Sequence, residues 1–146
     1  VGDYDFTMYA LEKCDVNAVF HKIKQKPGKP LLFGMKAEKV IFGLPGNPAS
    51  VLTCFYEYVL PAIGIMTERN VKLQTKKMVL TQEYQKQAGM THFLKASHNN
   101  DLVYLETGQE SYKLSSFANA NCLAMIPESA SKIESGQEIE VHLFPF

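Results

Sequence analysis

Two short stretches of this 146-residue chain hold side chains able to do chemistry on an anion. The first is Lys22-x-Lys24-x-Lys26-Pro27-Gly28-Lys29-Pro30, four lysines within eight residues of a chain that is otherwise balanced in charge. Read as a strand, it puts Lys22, Lys24 and Lys26 on one face, and the Pro-Gly turn folds Lys29 back toward them. Close ammonium groups repel unless an anion or carboxylates sit among them. The alternative is a solvated edge strand, where lysines block aggregation. The second stretch is Leu44-Pro45-Gly46-Asn47-Pro48, between an apolar run and a helical pattern. A glycine turn at a helix start offers unsatisfied N–H groups and the positive end of the helix dipole, to which Ser50 adds a hydroxyl. An ordinary strand-to-helix turn is the competing reading. The pair suits a tetrahedral or phosphate-like anion better than either stretch alone. Neither is a Walker loop or a dinucleotide fingerprint.

The elements that must position them follow from periodicity. Phe6, Ala10 and Cys14, with Leu11, make an apolar helix face over 6–14, with Asp5 expected as its N-cap. Residues 18–24, 31–34 and 40–44 read as strands, the last apolar on both faces like a covered central strand. Residues 49–60 read as a helix, with Pro48 at its start. Beyond Thr67-Glu68-Arg69-Asn70 the composition shifts to short β-branched and aromatic runs: 72–80, 91–96, 102–105, 123–126 and 139–144. Val141 and Leu143 alternate with Glu140 and His142, the period of a half-exposed strand. The expectation is an α/β unit over 1–68 followed by a small all-β barrel or sandwich over 69–146.

Bulk properties narrow the partners. Hydrophobic residues make up 46% of the chain and charged ones 21%, enough for a globular core. Fifteen basic and fifteen acidic side chains cancel, so no global field favours nucleic acid or an acidic membrane. The longest apolar runs, such as Met78-Val79-Leu80, are too short for a bilayer. Cys14, Cys54 and Cys122 have neither metal-knuckle nor disulfide-framework spacing and read as buried free thiols. His21, His92, His98 and His142 share no metal-ligand spacing and are placed on strands or the surface. Tyr56 and Tyr58 read as packing or dimer contacts. The N-terminal residues resemble no signal peptide, and the absence of an initiator Met reads as a start inside a longer protein.

The two anion-directed stretches carry a family resemblance. Lys26-Pro27-Gly28-Lys29-Pro30 with Phe33-Gly34, and Phe42-Gly43-Leu44-Pro45-Gly46-Asn47-Pro48-Ala49-Ser50, resemble signature blocks of the MoeA-type molybdopterin molybdotransferases, to which the E domain of gephyrin belongs. Val1-Gly2-Asp3-Tyr4-Asp5 resembles the end of that family's Gly-Gly-x-Ser-x-Gly-(Asp/Glu)-x-Asp motif. Leu114 to Leu123 is similar to its C-terminal signature, and Gly136 to Val141 to its last strand.

The resemblance implies the second half of a three-layer, MogA-like α/β domain followed by a barrel-like C-terminal domain. It implies insertion of molybdate into adenylylated molybdopterin with release of AMP, Mg²⁺ as cofactor, a cytoplasmic homodimer, and an isolated fragment without turnover. By the same resemblance Lys26, Lys29 and Ser116 act on the anion. Lys22, Pro27, Gly28, Pro45, Gly46, Asn47, Pro48, Ser50, Lys95 and Ser115 bind substrate, and Asp5 and Asp3 are the Mg²⁺ ligands. Lys95 stands where relatives carry an arginine, keeping the charge without the bidentate fork. The competing function is a non-catalytic molybdopterin- or anion-binding scaffold, with a nucleotide-binding domain of another family as a third reading.

Overall fold

The computed structural model describes residues 6–145, and all that follows concerns these. Helix α1 (Thr7–Lys13) starts at Phe6, one residue later than the cap expected at Asp5, which lies outside the described residues with Asp3. None of its residues is buried, so its apolar face covers no core here. Strand β1 (Asn17–His21) ends before the lysine series. Lys22 takes φ +69, which a continuing strand cannot contain, and Lys24 lies in a bend. The alternation expected through Lys22, Lys24 and Lys26 is therefore broken.

Strand β2 is only Gln25–Lys26, and it pairs with neither neighbour in sequence. Strands β3 (Leu32–Lys36) and β4 (Lys39–Gly43) form an antiparallel sheet with β1, in the order β1-β3-β4. Strand β4 was expected to be central, yet it ends this sheet with β3 as its sole partner and is only half-buried. The apolar run is present, but the cover it was expected to have is not supplied by the described residues.

The second helix runs further than its pattern suggested. Helix α2 (Pro48–Cys54) passes into a π-helical turn (Phe55–Val59) and then α3 (Leu60–Met66). Pro61 explains the wide turn. Lacking an N–H, it cannot bond the Glu57 carbonyl, and its ring crowds that turn of a regular helix. The Leu60 N–H reaches back to the Phe55 carbonyl instead, and the helix continues. The 19-residue run is long and apolar enough to cross a membrane by length and composition, which the shorter runs weighed from sequence were not. Its middle is tied to the rest of the chain, since Tyr56 and Leu60 pack against buried Leu123 and Phe144 and Glu57 bonds His142.

The C-terminal part is a closed barrel of mixed strands. Around the ring stand β7 (Thr91–Asn99), β8 (Leu102–Leu105), β5 (Gln74–Leu80), β11 (Glu138–Leu143) and β9 (Cys122–Ile126), and β9 closes onto β7. Only β5 and β8 run parallel within it. Alternate residues point inward: Met78, Leu80, Leu94, Ala96, Val103, Cys122, Ala124, Ile126, Ile139 and Val141 form the interior cluster. A second cluster lies outside the ring, where Phe93, Leu123 and Phe144 meet the helix. Strands β7 and β9 are thus covered on both faces, which is why 92–96 is buried without alternation and 123–126 is a continuous apolar run.

Three short strands escaped the periodicity reading. Strand β6 (Tyr84–Gln85) pairs with β10 (Lys132–Ile133) beside the barrel. Strand β2 adds in parallel to the start of β7, with Gln25 opposite Thr91 and Lys26 opposite His92. The lysine-rich turn is therefore bolted to the barrel.

Candidate functional site

The turn that follows β2 is held from beneath. Buried Gln25 donates through Nε2 to the Pro27 carbonyl at 2.8 Å, while its Oε1 accepts the hydroxyl of Tyr58 from the π turn. The Lys26–Pro27 bond is cis, Leu31 N–H closes the turn onto the Gly28 carbonyl at 3.0 Å, and Ile23 N–H reaches the Lys29 carbonyl at 2.9 Å. Gly28 has φ +102, and a Cβ there would lie 2.6 Å from Cys54 Sγ and 2.9 Å from Gln25 Nε2. Only glycine fits. With its base locked between β7 and the helix, the turn leaves Lys26 and Lys29 exposed.

Both lysines line one cleft of about 710 Å³, whose walls come from both parts of the chain. Pro27, Gly28, Asn47 and Ser50 line it from the α/β side. His92, Tyr84 and the loop Gly108–Ser111 line it from the barrel side. The volume lies within the usual range of small-molecule sites. The sequence-derived grouping of the lysine turn with Asn47 is thus met by the geometry. Lys22 is exposed but lies outside the cleft, and Lys24 pairs with Glu128 at 2.8 Å. Pro45, Gly46 and Pro48 shape the turn without lining the cleft.

The helix start offers fewer donors than expected. Ser111 from the barrel loop already takes the Ala49 N–H on its carbonyl at 3.1 Å and the Asn47 amide on its hydroxyl at 2.9 Å. Val51 N–H bonds the Asn47 carbonyl. The Asn47 turn therefore acts first as a clasp between helix and barrel loop.

Lys95 and Ser116 are placed differently from the two turn lysines. Lys95 is 3% exposed on the outer face of β7, and its amine donates to the carbonyls of Gly108, Lys113 and Glu110 at 2.7, 3.2 and 3.3 Å. An ammonium has three donors, so it is fully occupied. Burial lowers its pKa, with Lys113 adding to the effect and Glu110 opposing it. Buried Ser116 sits within 2.9 Å of two of those same carbonyls, Gly108 and Lys113. Gln109 finishes the clamp, bonding the Lys95 backbone in both directions. The loop over 106–114 thus covers Lys95 and Ser116, and neither lines the cleft. Ser115 lines a separate groove with Leu52, Tyr56 and Phe117.

All four histidines lie on strands, as expected, and two of them are held by partners on other elements. His92, on β7, is 6% exposed and lines the cleft, its Nδ1 bonded to the Tyr84 hydroxyl at 2.9 Å. Burial, then the charges of Lys86 and Lys26, lowers its pKa to about 4. His142 bridges Glu57 at 2.9 Å and Glu140 at 3.0 Å, tying the π turn to β11. Burial lowers its pKa, but the two carboxylates outweigh that and the net direction is upward. Cys54 and Cys122 are buried free thiols as expected, whereas Cys14 is exposed. Burial, and then Glu57 for one and Glu106 for the other, pushes both buried thiols up to about 12, so neither is a nucleophile.

Residues 1–64 match the family described as "Probable molybdopterin binding domain", and residues 77–144 match "MoeA C-terminal region (domain IV)". The chain belongs to the MoeA family. Its relatives include the molybdopterin molybdenumtransferase of Haemophilus influenzae, 32% identical over 99% of this chain and 37% of the relative. The Bacillus subtilis molybdopterin molybdenumtransferase is 29% identical over 98% of the chain and 34% of its own length. A crystal structure of the molybdopterin biosynthesis moeA protein from Pyrococcus horikoshii superposes with a TM-score of 0.80 at 31% identity, over 97% of this chain and 35% of that one. The chain thus spans about a third of the MoeA relatives it matches, and the α/β unit followed by a barrel is the fold expected from its signature blocks.

Proposed function

We propose that this chain supplies the anion-binding part of an enzyme that inserts molybdate into adenylylated molybdopterin and releases AMP. Support comes first from one observation: Lys26 and Lys29, on a turn locked by Gln25 and Cys54, line one cleft with Asn47 and the barrel loop. Two flexible ammonium groups over a rigid turn can follow a tetrahedral dianion and stay with it as negative charge is redistributed. The cleft has room for more than one oxyanion, as a phosphate-bearing partner substrate requires. Family membership supports the same reading, since the curated relatives bear the name of that transferase.

Lys26 and Lys29 bind and orient the anion in this proposal. Asn47, bonded to Ser111, keeps the cleft walls together, and Pro27, Gly28 and Ser50 shape its floor. Lys95 and Ser116 contribute to substrate only when the loop over 106–114 yields the carbonyls they now hold. The division at residues 68 and 69, a homodimeric state, a cytoplasmic location and inactivity of the isolated chain belong to the proposal as well. Mg²⁺ does too, with Asp5 and Asp3 as its candidate ligands. Among the described residues no group of three His, Cys, Asp or Glu side chains is arranged to hold a metal ion.

The test is AMP release from adenylylated molybdopterin by the full-length protein and its Lys26→Ala/Lys29→Ala variant. The proposal expects release to fall by at least about a hundredfold with the fold intact, the scale of losing preorganised charge stabilisation. Full activity in the double variant contradicts it.

A further inference from the structure

The cleft contains a second hydrogen-bonding device that the sequence did not mark, and the inference from it rests on the anion-binding reading above. We propose that His92 is a positioning residue of the cleft, a neutral imidazole whose Nε2–H is held ready by Tyr84 to donate to an oxyanion bound at Lys26.

Register provides the first support. His92 stands opposite Lys26 in the parallel β2–β7 pair, so both side chains leave the sheet on one face. Both line the cleft.

The tautomer follows from bonding. The Tyr84 hydroxyl has one partner among the described residues, His92 Nδ1 at 2.9 Å, and in the proposal it donates its proton there. Nδ1 is then the acceptor, and the ring proton sits on Nε2. Nε2 has no protein partner among the described residues. Nor is it sealed off, because the one fully enclosed side-chain N or O atom left unpaired among them is His98 Nδ1. The Nε2–H therefore opens onto the cleft.

The charge state is set by the groups around the ring. Lys26 on β2 and Lys86 after β6 both disfavour an imidazolium, and burial acts in the same direction. The Tyr84 hydroxyl stays protonated, its pKa raised by burial. Across the cleft, Glu110 is engaged by Lys113 at 3.3 Å. Such a site receives a donor without a third positive charge, and its ligand is an anion with acceptor oxygens. A free tetrahedral oxyanion and the phosphate of a nucleotide share that chemistry.

The experiment titrates the full-length protein with tungstate and, separately, with AMP, at about pH 7, and follows the His92 ring nitrogens by NMR. Nε2–H is expected before and after addition, with the Nε2 signal moving for whichever anion occupies the cleft. His92→Leu is expected to weaken that anion about five- to tenfold, the share of one hydrogen bond. His92→Gln, which keeps a donor, is expected to recover most of the affinity. Tyr84→Phe leaves the ring in place and is expected to give a mixture of tautomers with weaker binding.

A proton on Nδ1 in the parent, or an unchanged affinity in His92→Leu, overturns this inference and leaves the lysine assignment standing. Should neither anion bind the parent protein, both readings fall. If His92→Leu does not fold, the parent tautomer and Tyr84→Phe still decide.

Discussion

Gly28 offers the sharpest test of how the lysine turn is built. In Gly28→Ala, two penalties arise from separate observations. A side chain at φ +102 costs about 1–3 kcal/mol of backbone strain. The new Cβ would also stand 2.6 Å from Cys54 Sγ, on a buried helix face that cannot retreat freely, and such overpacking costs about 1–3 kcal/mol. Restricting the unfolded chain returns about 0.4–1 kcal/mol. The expected net loss is about 1–5 kcal/mol. Urea unfolding followed by circular dichroism measures it, and Cys54→Ala in the same background separates the two parts. The double variant should show a favourable coupling of about 1–3 kcal/mol, because truncating Cys54 vacates the space the new methyl needs. A Gly28→Ala protein within about 0.5 kcal/mol of the parent, or a coupling near zero, refutes the reasoning.

Other outcomes follow from the clasp residues. His142 has a pKa raised in the folded state by Glu57 and Glu140. Its stabilisation is therefore complete below the ordinary imidazole value of about 6.5 and is lost as pH rises through the raised folded value. Glu57→Gln should cost about 2 kcal/mol near pH 6 and clearly less near pH 9, read from urea midpoints at the two pH values; a constant difference contradicts the charged bridge. Lys95→Met leaves the carbonyls of Gly108, Glu110 and Lys113 without their shared donor. It should cost about 2–3 kcal/mol and speed amide exchange across 106–118, while the barrel interior stays protected. Unchanged exchange there would mean that the loop is held by something else. Ser111→Ala removes the acceptor for the Asn47 amide and should cost about 1 kcal/mol with a small loss of anion affinity, measured by calorimetry.

Much of this arrangement was legible from residue types. The barrel strands were marked by β-branched runs, and of the two apolar positions read in the last alternation Val141 is buried and Leu143 half-buried. The pairing of the lysine turn with Asn47 followed from two motifs that suit the same ligand. What stayed hidden depends on contacts distant in sequence. Strand β2 is two residues long and becomes a strand only because β7 accepts it, so no period announces it. Gln25 resembled a spacer between lysines until Tyr58, 33 residues away, was found to fix it. The helical pattern reads only over 49–60, whereas a π turn absorbs Pro61, carries the helix on to Met66 and aims Glu57 and Tyr58 at the barrel. The histidines shared no spacing, and their roles arise from partners on other elements: Tyr84 for one, Glu57 for the other. Lys95 carried the charge expected at an anion site, but it stands on the outer face of β7 beneath a loop of carbonyls.

In the proposed function one oxyanion sits between Lys26 and Lys29 against the Asn47 clasp. Anomalous diffraction from crystals of the full-length protein soaked in tungstate tests it without requiring turnover. A tungsten peak is expected inside the cleft lined by His92 and Ser50, with the tungstate oxygens within hydrogen-bonding reach of both lysine amines. A peak elsewhere with this cleft empty would contradict it.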